Sequence, residues 1–240
     1  MEKLSNRILN CALLIGALFL CIYPFVGQGS ASPAAAPVPS SLRVVIDAGH
    51  GGEDGGAAGD SGIAESRINL ELALRLRDLF VFCGIQPQMI RETDTAVYSG
   101  DCKTIAQKKV SDLKNRARMV NDADAALMLS IHQNYFEQSK YRGAQVFFAK
   151  TEGSRALAET VQRSLRTCVD TSNRRQVKPA QGVYLMEHIE CTGILIECGF
   201  LSNPEEERLL RDEGYQKKLA AAICGAVTEY LSEKENTNEI

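Results

Sequence analysis

Two histidines and two glutamates of this chain stand in short polar stretches whose residue types suit a metal site. The stretches are Asp47-Ala48-Gly49-His50-Gly51-Gly52 with Glu65 downstream, Ser130-Ile131-His132-Gln133-Asn134, and Ile196-Glu197-Cys198-Gly199-Phe200-Leu201-Ser202-Asn203. The chain has only three histidines, and two of them belong to this set. Two histidines and a carboxylate can hold Zn²⁺ and leave its fourth position to water, while a further carboxylate transfers protons. This combination indicates metal-assisted hydrolysis.

Apolar or β-branched runs lead into these stretches and are typical of buried strands. The predicted strands cover residues 43–47, 88–91, 126–131, 144–149 and 193–197. Apolar residues recur at helical spacing near residues 68–83, 110–121, 157–168 and 215–231. Strands that alternate with helices predict a single α/β domain with a mixed, mostly parallel sheet flanked by helices.

The order of these elements also predicts where the site forms. In an open α/β sheet, ligands bind beyond the carboxyl ends of the strands. His50 follows one predicted strand, and His132 and Glu197 end two others, so they should converge at one edge of the sheet. Glu65 begins the first helix three residues before Ile68, and therefore shares the helix face that packs on the sheet. A buried carboxylate needs a partner, and a metal ion would be one.

The N-terminal residues predict export from the cytoplasm. Lys3 and Arg7 form a short basic start, residues 8–26 are mostly apolar, and small residues follow at 27–32. This pattern is typical of a secretory signal cleaved after Ala31, and the apolar run is also nearly long enough for an uncleaved membrane anchor. The predicted segments are a signal peptide or anchor (1–31), an Ala/Pro-rich linker (32–40) and an extracytoplasmic catalytic domain (41–240).

Charge and cysteine content exclude several other classes of protein. The net charge is −3, with acidic and basic residues interspersed, which argues against a nucleic-acid binder; Arg174, Arg175 and Lys178 are interpreted as a solvated loop. The eight cysteines contain no Cys-x-x-Cys pair, and their spacing predicts no disulfide framework. Cys224 falls on an apolar helix face and should be a core residue. A thiol nucleophile at Cys198 is an open alternative.

Taken in this order, the motifs resemble those of the zinc-dependent N-acetylmuramoyl-L-alanine amidases, a family shared by bacterial cell-division and sporulation amidases. The resemblance covers about residues 42–231. Further markers are Arg91-Glu92-Thr93-Asp94, Leu113 with Arg116, Asn121-Asp122-Ala123-Asp124, Arg142-Gly143-Ala144 and Pro204. Each motif alone is weak, whereas the ordered set is specific. Segments 108–116, 140–145 and 181–186 look most like the sporulation- and germination-specific cortex amidase of endospore formers.

The resemblance implies a reaction and a role for each site residue. His50, Glu65 and His132 would bind zinc, and Glu197 would be the general base and acid. The implied reaction is hydrolysis of the amide between the lactyl group of N-acetylmuramic acid and L-alanine in peptidoglycan. In spore cortex, a deacetylase then acts on the product and gives muramic-δ-lactam.

Two other functions stay open at this point: a zinc peptidase that cleaves another peptide bond, and a non-catalytic wall-binding protein on an amidase scaffold. Retention of Glu197 argues against the second, because binding alone needs no general base. An accessory protein could complete or activate the site, and the N-terminal segment could associate with the membrane. Gln133 and Tyr135 stand where many relatives carry small residues, which affects the expected substrate fit.

Residues beside the motifs have more than one interpretation. Asp47 and Asn134 can orient the zinc ligands or stabilise a turn. Glu53 and Asp54 lie in a Gly-rich loop; they could sit near the metal, but a solvated turn is the favoured interpretation. His188 lacks a comparable context and is assigned to a loop, with substrate contact as the alternative.

Overall fold

The structure is a computed structural model that describes residues 43–236, with side chains to residue 234. The predicted signal or anchor (1–31) and the linker (32–40) lie outside the described residues, so these boundaries stay predictions. Within residues 43–236, no helix is both long enough and apolar enough to cross a membrane.

Six strands form one sheet in the order β2-β1-β3-β6-β4-β5. They are β1 (Val44–Ala48), β2 (Gln88–Met89), β3 (Leu127–Asn134), β4 (Gln145–Phe148), β5 (Lys178–Pro179) and β6 (Thr192–Phe200). Neighbouring strands are parallel except β4 and β6, which are antiparallel. The predicted mixed, mostly parallel sheet is therefore confirmed.

Within residues 43–236, six helices accompany the sheet. They are α1 (Glu65–Phe82), α2 (Ile105–Asp122), α3 (Ser154–Ser164, continued by a π-helical turn over Leu165–Val169), α4 (Tyr184–His188), α5 (Pro204–Leu210) and α6 (Glu213–Asn236). Helix α2 begins earlier than its apolar pattern predicts, because Thr104 and Gln107 form a capping box with reciprocal 3.2 Å hydrogen bonds. The assignment of His188 to a loop is wrong, since this residue ends α4, a helix too short to show a helical period in sequence.

The two faces of the sheet bear different helices. One face packs against α1, α3 and α6, and its buried residues include Ile46, Leu129 and Ile196. The opposite face packs against α2 and α4, and its buried residues include Val45, Met128 and Leu195. Successive side chains of β1, β3 and β6 point to opposite faces of the sheet, so each residue packs in the layer opposite to that of its neighbour in sequence.

The strand register aligns the polar residues at the carboxyl ends of the central strands. Asp47 of β1 is the Cα partner of Ser130 of β3, and His132 of β3 is the partner of Glu197 of β6. Ser130 and His132 lie two and four residues after Met128, so their side chains and those of their partners point to the sheet face that packs against α2 and α4. The pairing register then shifts between His132 and Asn134.

Candidate metal centre and catalytic site

Three predicted ligands from separate elements meet at the carboxyl edge of the sheet. His50 comes from the loop after β1, Glu65 from the first turn of α1, and His132 from the end of β3. Within the described residues, they form a His-Glu-His group whose ligand atoms all lie within 4.8 Å of one another. His50 Nε2 is 3.3 Å from Glu65 Oε2, and His132 Nδ1 is 2.9 Å from Glu65 Oε1. This group can bind a metal ion.

The buried Glu65 carboxylate is surrounded by hydrogen-bond donors. Its side chain accepts from the backbone N–H of Ala57 (3.1 Å) and Gln133 (3.1 Å) and from the Asn69 amide (3.2 Å). Burial opposes ionisation, but the imidazoles of His132 and His50 outweigh it and hold the pKa of Glu65 well below its usual range. The carboxylate is thus ionised at neutral pH, as a metal ligand must be.

Two glycines allow the ligands to pack this closely. A Cβ at Gly49 would lie 2.1 Å from His132 Nε2, and one at Gly56 would lie 2.6 Å from Glu65 Oε2. Gly56 also has a φ of +71°, a conformation that L side chains rarely adopt. Two imidazoles and a carboxylate in such a cradle are a donor set that suits zinc.

A turn after β1 directs His50 into the cluster. His50 has a φ of 62°, which is unusual for a residue with a side chain. Its Nδ1 lies 3.1 Å from Asp54 Oδ2, which leaves Nε2 facing Glu65. The interpretation of Asp54 as part of a solvated turn is therefore wrong, because its carboxylate orients an imidazole. Glu53 fits that interpretation, since it pairs with Lys108 at the surface (2.6 Å).

Arg116 of α2 fixes the backbone that precedes His50. Its guanidinium is buried, pairs with Asp47, and donates to Asp112 (2.6 Å) and to the carbonyls of Ala48 (3.0 Å) and His50 (2.6 Å). Burial opposes ionisation of Asp47, but the Arg116 charge and other partners hold its pKa below the usual range. Asp47 therefore orients the site through Arg116, one of the two roles that its sequence context left open.

Arg91 holds the other side of the same loop. Its guanidinium donates to the carbonyl oxygens of Ala48 (2.8 Å), Gly49 (3.0 Å) and Ser66 (2.7 Å). The Ser66 contact links the loop that carries His50 to the start of α1. Arg91 and Arg116 were recognisable only as family markers, because their contacts join residues far apart in the chain.

Glu197 differs from the three candidate ligands in the surroundings of its carboxylate. Among the described residues, Glu197 Oε2 is a buried oxygen without a hydrogen bond. Burial, reinforced by the charge of Glu65 and partly offset by His132 and His50, raises the pKa of Glu197 to about 7. A carboxyl group of this kind can both accept and release a proton near neutral pH.

One cavity connects Glu197 to the imidazoles. His50, His132 and Glu197 line it, with Ser130 and Leu195 of the sheet. Its walls come from Lys109, Leu113 and Arg116 of α2, and from Val183 and Leu185 at α4. The short helix α4, which sequence periodicity did not reveal, therefore closes one side of the site.

Other residues considered from the sequence lie away from this cavity. Cys198 is buried on the opposite face of β6, and burial is the main reason that the pKa of its thiol lies far above the usual range, so it is no nucleophile. Gln133 is also buried, and its amide donates to Asn69 (3.1 Å). Asn134 accepts from the Leu201 N–H through its carbonyl oxygen (2.8 Å), which is a structural role. Tyr135 is 51% exposed.

Comparison with known proteins identifies the family. Residues 44–229 match the family model Amidase_3, described as N-acetylmuramoyl-L-alanine amidase. The chain belongs to this amidase family. It is 36% identical over 223 residues to the germination-specific N-acetylmuramoyl-L-alanine amidase of Bacillus subtilis (strain 168), and the match spans 92% of this chain and 93% of that protein.

Solved amidase structures share the fold. One is the CwlD amidase from Clostridioides difficile in complex with the GerS lipoprotein, with a TM-score of 0.78, 42% identity, and coverage of 80% of this chain and 99% of that chain. The N-acetylmuramoyl-L-alanine amidase from Clostridium difficile 630 has a TM-score of 0.72 and 30% identity over 81% of this chain and 99% of that chain. These likenesses confirm the predicted α/β amidase fold, the amidase activity and the resemblance to a germination-specific amidase.

Proposed function

We propose that this amidase is zinc-dependent, with His50, Glu65 and His132 as the metal ligands and Glu197 as the general base and acid. The observation that carries the proposal is the His50-Glu65-His132 group, whose two imidazoles line one cavity together with Glu197. Zinc held there would lower the pKa of a water molecule toward about 7 and polarise the scissile carbonyl.

Glu197 moves the proton in this scheme. Its carboxylate accepts a proton from the attacking water and delivers it to the amine of L-alanine as that group leaves. Burial holds the pKa of Glu197 at about 7 in the metal-free protein, and a bound Zn²⁺ would lower it, which favours the carboxylate form that accepts the proton from water.

The remaining side chains of the cavity orient the ligands and limit access of water. Asp54 holds His50 through Nδ1, so that Nε2 faces the metal position. Arg116 fixes the carbonyl of His50 and is itself held by Asp47. The apolar side chains of Leu113, Val183 and Leu185 shield the reacting groups from bulk solvent.

Peptidoglycan of the spore cortex is the proposed substrate. The likeness to a germination-specific amidase over nearly the full chain supports this preference. The scissile bond joins the lactyl group of N-acetylmuramic acid to L-alanine, and the product is the substrate for a deacetylase that leads to muramic-δ-lactam. Action outside the cytoplasm follows from a cell-wall substrate, and a signal or anchor over residues 1–31 would deliver the catalytic domain of residues 41–240 there.

An accessory protein is a further proposed partner. The CwlD amidase, which is 42% identical to this chain, was solved in complex with the GerS lipoprotein. A lipoprotein of that class would bind this amidase and complete or activate its metal site. Zinc affinity measured with and without such a lipoprotein would test this point, and equal affinities would contradict it.

Mass spectrometry of digested peptidoglycan tests the reaction. The purified protein should release intact stem peptides with a free L-alanine amine when Zn²⁺ is present. Glu197→Gln should abolish release, whereas Glu137→Gln, the same change at an exposed loop residue, should not. Release at wild-type rate by Glu197→Gln would contradict the proposed base, and cleavage at another bond would contradict the proposed substrate.

A genetic experiment tests the cortex preference. A Bacillus subtilis strain without its germination-specific amidase should regain muramic-δ-lactam when this chain is expressed during sporulation. Muropeptide analysis provides the readout. Failure to restore the lactam by a protein that cleaves purified cortex in vitro would contradict a cortex role in the cell and leave the amidase activity intact.

A further inference from the structure

Two cysteines far apart in sequence lie side by side where α1 meets α6. Cys83 directly follows the last residue of α1, and Cys224 lies within α6. Their Sγ atoms are 3.9 Å apart, although 141 positions separate them in the chain. Cys224 is buried in the apolar core, whereas Cys83 is exposed.

The other described cysteines have different surroundings. Cys198 lies in the core with its thiol near the carbonyl of Ile196, and Cys102 is near the carbonyl of Gln107. Cys168 is exposed beside Thr167, and the partly buried Cys191 packs against the apolar cluster on the face of α2 and α4. The proximity of Cys83 and Cys224 is therefore a specific feature of the α1–α6 contact, where an apolar interface places two thiols together.

We propose that Cys83 and Cys224 form an intramolecular disulfide that joins the end of α1 to α6. Sulfur atoms in a disulfide are about 2 Å apart, so bond formation requires a movement of the exposed Cys83 side chain that shortens the present 3.9 Å distance between the Sγ atoms. The pair was not predictable from spacing, because only the packing of the two helices brings the thiols together.

The bond would form by thiol–disulfide exchange with an oxidised disulfide, such as glutathione disulfide or an oxidised thiol oxidoreductase. The Cys83 thiolate attacks that disulfide, which forms a mixed disulfide and releases one thiolate. The Cys224 thiolate then attacks Cys83 Sγ and releases the second thiolate. The two cysteines lose two electrons and two protons in total, and the oxidant gains the electrons to become two thiols.

Accessibility sets the order of these steps. Cys83 is reachable from solvent, whereas burial, together with the neighbouring Cys83, raises the pKa of Cys224 to about 12. The compartment also suits the chemistry, because a cell-wall amidase acts outside the cytoplasm, where disulfides persist.

The cross-link would stabilise the fold without entering the reaction. Glu65 lies at the opposite end of α1 from Cys83, so the bond constrains the helix that carries a ligand while leaving the cavity unchanged. A cross-link that closes a long segment removes conformational freedom mainly from the unfolded chain. Resistance to thermal unfolding should therefore rise, while the rate of stem-peptide release at low temperature stays within about twofold.

Peptide mapping of the full-length protein tests the proposal. After treatment with glutathione disulfide and alkylation of free thiols, mass spectrometry should find one peptide pair joined through Cys83 and Cys224. Cys168→Ser, a change at another exposed cysteine, should keep this cross-link and the rise in Tm. Cys224→Ser should instead accumulate a glutathione adduct on Cys83, and Cys83→Ser should leave Cys224 reduced.

Several outcomes would overturn the inference. One is alkylation of both Cys83 and Cys224 under conditions in which Cys168 is fully oxidised. Another is a covalent dimer through Cys83, which sits beside the 89% exposed side chain of Phe82. A third is an oxidised protein with the mapped cross-link but the same Tm as the reduced protein, which would remove the stabilising role.

Discussion

Glu197 and Cys198 are neighbours in β6, yet they lie on opposite faces of the sheet and have opposite chemical characters. Burial is the first cause of a raised pKa in both. For the carboxyl group, the result in the metal-free protein is a pKa of about 7, so both protonation states are populated near neutral pH. For the thiol, the result is a group that stays protonated. In the proposed mechanism, the same physical effect therefore prepares Glu197 for proton transfer, whereas it makes Cys198 an inert core residue.

Strand β3 shows the same division. His132 enters the cavity on the face of α2 and α4, whereas Gln133 points to the other layer and donates to Asn69. The backbone N–H of Gln133 nevertheless supports the site, because it donates to Glu65. One face of the sheet thus presents reactive groups to a cavity, and the other face anchors them to the core.

The largest expected contrast between the faces is in turnover. Glu197→Gln should lower kcat by about 10²–10⁴-fold, because general acid–base catalysis contributes on that scale. Cys198→Ala, one residue away, should leave kcat within a few-fold and lower stability by roughly 1 kcal/mol, the usual size of a point-mutation effect. Rates from soluble muropeptides and denaturant unfolding would measure both quantities. Comparable losses of kcat would remove the distinction between the faces.

The second prediction compares the loss of a buried ion pair in the site with the loss of an exposed ion pair at the surface. Arg116→Met should destabilise the protein by about 3–5 kcal/mol, because it leaves Asp47 as an uncompensated buried charge. Arg67→Met removes an exposed pair with Glu71 (3.1 Å) and should cost about 0–1 kcal/mol. Urea denaturation provides the comparison, and a small effect at Arg116 would show that Asp47 is not held as an ion pair.

The third prediction concerns the pH dependence of stability in the metal-free protein. The folded-state pKa of Glu197, about 7, lies above the ordinary value of 4.5. The proton therefore favours the folded state, so this contribution is complete below about pH 4.5 and is lost as pH rises to about 7. The difference between the two pKa values corresponds to roughly 3 kcal/mol.

Comparison of wild type with Glu197→Gln isolates this contribution. Glutamine does not titrate, so between pH 4.5 and 7 the variant should lose less stability than the wild type. Chelated samples, unfolded by urea at several pH values, provide the measurement. Parallel stability profiles for the two proteins would contradict the raised pKa of Glu197.

The smallest expected effect distinguishes two neighbours in the Gly-rich loop. Asp54→Asn should weaken zinc binding by about 10–100-fold, the usual effect of removing a group that orients a histidine ligand. Glu53→Gln, which disturbs only a surface pair with Lys108, should leave zinc affinity unchanged. Competition with a chromogenic chelator would measure both affinities. Equal affinities in the two variants would mean that Asp54 does not orient His50.

Much of the site was predictable because three of its four residues lie near the carboxyl ends of strands. The positions of His50, His132 and Glu197 follow from apolar runs that terminate in polar residues, and parallel strands bring such ends together. The burial of Glu65 was predicted because this residue lies three positions before Ile68 on the same helix face, and the structure confirms it. The boundaries of the N-terminal segments stay predictions.

The parts that were missed depend on long-range side-chain contacts or on short elements. Asp54 resembles any turn residue until the fold brings its carboxylate to His50. Arg116 reaches β1 and the loop that follows it only because α2 crosses that face of the sheet. The wall formed by α4 left no periodic pattern, and the proximity of Cys83 to Cys224 depends wholly on helix packing.

The central claim is that three residues hold zinc and that a fourth, Glu197, moves the proton. The most direct test measures zinc content and stem-peptide release in parallel for wild type, His132→Ala and Glu197→Gln. We expect His132→Ala to lose both zinc and activity, and Glu197→Gln to retain zinc at wild-type stoichiometry while losing activity. Equal loss of zinc in the two variants would contradict the separation of ligand from base, and so would normal turnover by Glu197→Gln.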